Sequence, residues 1–85
     1  MPFEIVWTDR AKKDLHSLEK EISARVIKKI QELSEQEKPF LEKLAGLDYY
    51  KARVGEHRII FKMFPAARKL FVMRVRHRRN AYKNL

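Results

Sequence analysis

The chain has 85 residues with 20 Lys/Arg against 11 Asp/Glu, a net charge of +9, so it holds one domain (1–85) with one modest core. Apolar residues at 45% and aromatics at 11% exclude a disordered chain, and the lack of any cysteine excludes a disulfide framework or a thiolate metal site. No apolar run reaches membrane-spanning length and the start lacks the pattern of a secretory signal, so a soluble, cytoplasmic protein is the expectation.

Phe3-Glu4-Ile5-Val6-Trp7 is a short β-type run. Thr8 is a good N-cap and Asp9 lies in the first turn of a helix expected from about Asp9 to Leu18, with Ala11, Leu15 and Leu18 on one face. A second helix is expected from about Glu19 to Glu35. Its apolar residues Ile22, Val26, Ile27, Ile30 and Leu33 stand at helical spacing, while Lys28, Lys29, Glu32 and Glu35 read as ordinary solvated charge. Pro39 ends that helix or marks the connection after it, Phe40, Leu41 and Leu44 suggest a short helical turn, and Gly46 permits a sharp change of direction.

Residues 49–62 read as two strands around a two-residue turn at Gly55-Glu56, with glycine first, as a type II′ turn prefers. If Val54 and His57 flank the turn, Arg53 faces Arg58, Ala52 faces Ile59 and Tyr50 faces Phe61. One face then carries Tyr50, Ala52, Ile59, Phe61 and Met63, and the other Tyr49, Lys51, Arg53, Arg58, Ile60 and Lys62. Pro65-Ala66-Ala67-Arg68 makes the next turn. The last strand, Lys69 to about Arg76, alternates, with Phe71, Met73 and Val75 on one side and Leu70, Val72, Arg74 and Arg76 on the other. The order β-α-α-β-β-β implies an α+β fold: a two-helix hairpin on one face of a mostly antiparallel four-stranded sheet.

The charge is divided along the chain. Residues 1–50 hold nine Lys/Arg and ten Asp/Glu, whereas residues 51–85 hold eleven Lys/Arg and one acid, Glu56. Lys51, Arg53, Arg58, Lys62, Arg74 and Arg76 share the expected polar sheet face, and Arg78 follows the strand end. Opposed like charges disfavour a hairpin, so folding alone does not explain the Arg53/Arg58 pair, whereas a bound polyanion does. Tyr49 and Tyr82 lie in the same neighbourhoods and could stack on bases, which favours RNA or single strands over duplex reading.

The sequence shows no Ser/His/Asp set, phosphate-binding glycine loop or metal-ligand cluster. His16 and His57 read as surface or turn residues. His77, beside Arg78, is a candidate RNA contact or proton carrier. Lysine can give up its proton and arginine cannot, so Lys51 is a candidate base, while Arg53, Arg58 and Arg78 are limited to holding phosphate and balancing developing charge.

Lys43-Leu44-Ala45-Gly46, Tyr50-Lys51-Ala52-Arg53-Val54-Gly55-Glu56-His57-Arg58-Ile59 and Val75-Arg76-His77-Arg78-Arg79-Asn80-Ala81-Tyr82 together resemble the RelE/ParE toxin superfamily of toxin–antitoxin systems. The resemblance to the RelE branch implies a ribosome-dependent endoribonuclease that cuts messenger RNA by metal-free attack of a 2′-hydroxyl on the adjacent phosphate, with no cofactor. Residue by residue it implies catalytic roles for Lys51, Arg58, Arg78 and Tyr82. Arg53 stands where the family has a second lysine, which keeps the charge and removes proton transfer. Lys62, Arg74, Arg76 and His77 join Arg53 as expected RNA contacts. The implied partners are a RelB-like antitoxin and messenger RNA on the ribosome. The alternatives are a ParE-like inhibitor of DNA gyrase without ribonuclease activity, and a non-toxic nucleic-acid-binding module.

Overall fold

A computed structural model of the chain describes residues 3–36, 42–43 and 49–77. The elements in order are β1 (Glu4–Trp7), α1 (Asp9–His16), α2 (Lys20–Glu35), β2 (Glu42–Lys43), β3 (Tyr50–Val54), β4 (His57–Phe64), a 3-10 turn (Pro65–Ala67) and β5 (Lys69–His77). The strands form one sheet in the order β1-β5-β4-β3-β2. Only β1 and β5 run parallel; the other pairs are antiparallel. This is the expected α+β arrangement on four strands, with the two-residue β2 added along the β3 edge. The helical turn expected around Phe40, Leu41 and Leu44, and the roles given to Pro39 and Gly46, fall outside the described residues.

The two helices pack on one face of the sheet. Ala11 of α1 and Val26, Ile30 and Leu33 of α2 form a single core with Val54, Ile59, Phe61, Leu70, Val72 and Val75. The stripe Val26-Ile30-Leu33 is the i, i+4, i+7 set of one helix face. Ile27 lies about 100° round from Val26 and is 38% exposed, so it flanks the core rather than joining it. Thr8 caps α1 by accepting the Ala11 N–H at 3.2 Å, and its hydroxyl donates to the Val72 carbonyl at 2.8 Å. One side chain thus starts the helix and ties it to β5. α1 stops at His16, two residues before the expected end; the Ser17 N–H closes the last turn on Lys13 O and Asp14 O, and the Ser17 hydroxyl takes Asp14 O at 2.7 Å. Among the described residues no helix is long and apolar enough to cross a membrane.

The β3–β4 hairpin has the expected register, from Tyr50 opposite Phe61 to Val54 opposite His57. Gly55 has φ +58°, the left-handed backbone that the first position of the two-residue turn requires, while Glu56 stays at negative φ. At the other end of β4, Arg68 takes φ 53° to close the 3-10 turn.

β5 departs from simple alternation. Ile60 pairs with Arg74, but Phe61 pairs with Val72, so Met73 is an extra residue and forms a bulge. Before it, Leu70 and Val72 enter the core; after it, Val75 does. The expected grouping of Phe71 and Met73 with Val75 therefore fails, because a one-residue insertion shifts every later side chain by one position.

Candidate nucleic-acid interface

The bulge decides what the sheet presents away from the helices. Past it, Arg76 stands opposite Arg58, which in turn stands opposite Arg53. Three arginines from three adjacent strands thus form one row across the sheet, extending the opposed pair visible in the hairpin. The next row on the same face is Lys51, Ile60 and Arg74. Ile60 is fully buried although it lies outside the core cluster on the helix side. Lys62 follows along β4, its ammonium 4.7 Å from the centre of the Tyr49 ring. Opposed like charges cost some tenths of a kcal/mol per pair, so the arginine row is carried against the folding preference of the sheet.

Beyond Lys62 the far face turns apolar. A groove of about 390 Å³ is lined by Lys62, Phe64, Ala67, Lys69, Phe71 and Met73. Phe64 and Phe71 meet edge to face at 5.4 Å. The far face is therefore cationic at the hairpin-tip end and apolar at the other.

Arg74, expected among the free cations, is held elsewhere. Its Nε and Nη2 donate to the Asp14 carboxylate at 2.9 and 3.3 Å, and the Val75 N–H donates to the same carboxylate at 2.9 Å. Both side chains are about 15% exposed or less. β1 ends level with Val72, so the outer edge of β5 beyond that point has no strand beside it. Thr8 and Asp14 fill this gap, one taking the Val72 carbonyl and the other the Val75 N–H. Arg74 thus fastens α1 to the bulged strand.

His77 also lies apart from the arginine row. It pairs with His57, which pairs with Val54, so both histidines belong to the face of the buried Val54 and Val75. Their rings meet edge to face at 5.4 Å, and His77 Nε2 is 3.3 Å from the Glu56 carboxylate. The strand alternation that sends Arg76 to the far face sends its neighbour to the other.

Residues 5–82 match the family model described as ParE toxin of type II toxin-antitoxin system, parDE. The chain belongs to this toxin family. It is 31% identical to Toxin RelG of Mycobacterium tuberculosis over 88 residues, covering 98% of this chain and 99% of the relative. Its fold is similar to the toxin–antitoxin complex RelBE2 of M. tuberculosis, with a TM-score of 0.82 and 26% identity over 92% of this chain and 93% of that one. It also resembles a chain of the intact RelBE complex of E. coli, with a TM-score of 0.74 and 24% identity over 88% and 94% of the two chains; at that identity the likeness speaks for the fold. The RelE/ParE resemblance of the three motifs is thereby borne out, and the protein is a type II toxin of that superfamily.

On this toxin, Lys51, Arg53, Arg58, Lys62 and Arg76 of the expected site share one sheet face, and Arg74 and His77 are directed elsewhere. Arg78 and Tyr82 lie outside the described residues. Sequence reasoning passed over Asp14, although a signal was present: Asp14 falls between Ala11 and Leu18 at i+3 and i+4, an acid on the apolar stripe, where a buried carboxylate needs partners. It also read Lys28 and Lys29 as plain solvated charge. They line a groove of about 310 Å³ with Arg25, Glu32, Arg53, Val54 and Gly55.

Proposed function

We propose that this toxin is a ribosome-dependent endoribonuclease that cuts messenger RNA and so stops translation. The observation that carries the reading is the in-register row Arg53, Arg58 and Arg76, with Lys51 one row away on the same face. Such a face can hold consecutive phosphates of a single strand, and among these cations only Lys51, unlike the arginines, has a side chain that can give up its proton. The 2′-oxygen bonds to the neighbouring phosphorus and the P–O5′ bond breaks. The 2′-hydroxyl proton passes to Lys51 or Tyr82 acting as the base, and the departing O5′ takes up a proton from water with Arg78 steadying its charge. The products are a 2′,3′-cyclic phosphate and a 5′-hydroxyl. Arg58 balances the charge of the pentacovalent phosphate, while Arg53, Lys62 and Arg76 hold the flanking strand. A face this poor in acid–base groups makes a weak nuclease alone; a ribosome that orients the message supplies positioning worth several kcal/mol.

The antitoxin in this reading is RelB-like, by analogy with the RelBE complexes of M. tuberculosis and E. coli. An acidic segment would associate quickly with the cationic half of the chain.

The test is primer extension on messenger RNA after brief expression. Arg58→Ala should lower cleavage by about 100-fold or more, the usual loss of a group that stabilises developing charge. Unchanged cleavage in Arg58→Ala and Arg78→Ala overturns the site. The matching family model is described as ParE, so the second reading is a ParE-like gyrase inhibitor; DNA damage with intact message supports it instead.

A further inference from the structure

Arg25, Lys28, Lys29 and Glu32 stand at i, i+3, i+4 and i+7 of α2, so they share one helix face. That face opens toward the β3–β4 turn and, with Arg53, Val54 and Gly55, lines the groove of about 310 Å³. The Arg25 guanidinium reaches the hairpin tip, with Nη1 at 3.8 Å from where a Cβ on Gly55 would sit. The lining holds four cations and one acid. Among the described residues Arg25, Lys28, Lys29 and Arg53 make no side-chain hydrogen bond or ion pair, whereas Lys69 meets Glu4 at 3.8 Å and Arg74 meets Asp14. A smaller recess of about 40 Å³, lined by Arg53, Gly55, Glu56, His57 and Arg58, adjoins it and shares Arg53 and Gly55. The concave basic surface therefore continues around the hairpin tip from α2 to the middle of the arginine row.

Its chemistry selects the occupant. Spaced cations along an open trough suit a chain that carries a charge at regular intervals. Among the described residues no aromatic side chain lines the trough to give bases a stacking surface, and Val54 is the one branched apolar residue there, which offers a peptide no pocket for an anchoring side chain. We infer that the α2 groove is a second nucleic-acid backbone site, indifferent to sequence, into which a strand held on the arginine row continues past Gly55. The inference rests on RNA occupying that row and does not depend on whether the RNA is cut.

The test uses the full-length toxin and 2′-O-methyl RNA, which has no 2′-hydroxyl nucleophile, so binding is read separately from cleavage. A trinucleotide and an oligomer of about 12 nucleotides, within the range of small single-strand binders, are titrated at rising salt. Lys28→Gln with Lys29→Gln keeps good helix formers on α2. Each lost contact to a single strand lowers the slope of log K against log salt by about 0.7, so the double variant should lower it by about 1.4 for the longer RNA and leave the trinucleotide unchanged. Lys12→Gln with Lys13→Gln on α1 is the charge-matched control and should leave both unchanged. An unaltered slope for the longer RNA overturns the inference, as does an equal fall in the control. Loss of binding to poly-glutamate with RNA binding intact assigns the groove to an acidic protein and overturns it too. A fall in slope upholds the backbone site even if primer extension finds no cleavage in the cell.

Discussion

The two faces of the sheet are built on opposite terms. Toward the helices, Ile59, Phe61, Leu70, Val72 and Val75 are buried, and the partly buried ion pair of Asp14 with Arg74 is closed by three hydrogen bonds. Away from the helices, three arginines stand opposite one another across neighbouring strands. The first face lowers the free energy of folding; the second raises it slightly, and in the proposed reading serves to hold an anion. The difference teaches where to look for function in a small basic domain: at charge that packing does not explain, rather than at charge as such. Arg74 and Arg76 make the point on one strand, two residues apart and identical in type, one used by the fold and the other left to the surface.

The comparison breaks most readily in the core. Phe61 is 1% exposed and Phe64, three residues along the same strand, is 45% exposed. Phe61→Ala should cost about 3–5 kcal/mol, enough to threaten a domain of ordinary stability. Phe64→Ala should cost well under half of that. Denaturant unfolding of both variants measures the contrast, and equal losses would mean that the sheet is not one-sided in its energetics.

Asp14→Ala comes next. It leaves the Arg74 guanidinium and the Val75 N–H without their acceptor at a site about 15% exposed, which should cost about 2–4 kcal/mol. Arg74→Met should cost less, because the Val75 N–H keeps the Asp14 carboxylate. The order Asp14→Ala worse than Arg74→Met is the diagnostic outcome; the reverse order would make the salt bridge, not the backbone contact, the main function of Asp14.

Gly55→Ala lies lower again. A Cβ there meets Arg25 Nη1 at 3.8 Å, an ordinary contact, so the cost comes from the backbone at φ +58°. About 1–2 kcal/mol is expected, read from the shift of the urea midpoint at unchanged slope. A negligible shift would show that the turn relaxes to another type without disturbing the pairing of Arg53 with Arg58.

Much of this was legible in the sequence because local rules and the fold agree. Gly55 sets a two-residue turn, the turn sets the register, and the register puts Arg53 opposite Arg58, all from a stretch of 14 residues. The helix stripes followed from spacing, apart from Ile27, whose angle on α2 lies at the rim of the stripe. The bulge at Met73 was not legible. A strand that gains one residue keeps its apolar composition, and period-2 reading carries the wrong phase from that point onward. The error put Leu70 and Val72 on the polar face with the arginines, and Phe71 and Met73 on the core side with Val75. Arg74 and His77 were misplaced for other reasons, since the partner of Arg74 is 60 residues away in α1 and the face of His77 is fixed by pairing across β4. The α2 groove was illegible for a related reason: Lys28 and Lys29 read as solvated charge until the hairpin tip is brought against them.

The smallest effect is the most discriminating. Arg53→Gln removes one member of the arginine row at an exposed position. Relief of like-charge repulsion should raise stability by a few tenths of a kcal/mol, and the gain should shrink toward zero in 1 M salt, where the screening length falls to about 3 Å. The same substitution should weaken single-stranded RNA binding and lower its salt slope by about 0.7. A residue kept for folding cannot give both signs, since its loss would lower stability. A residue of no consequence would give neither. Stability and RNA affinity moving in opposite directions, each with its own salt dependence, identify Arg53 as charge held against the fold for the sake of a ligand, and a fall in both would return the row to the architecture of the sheet.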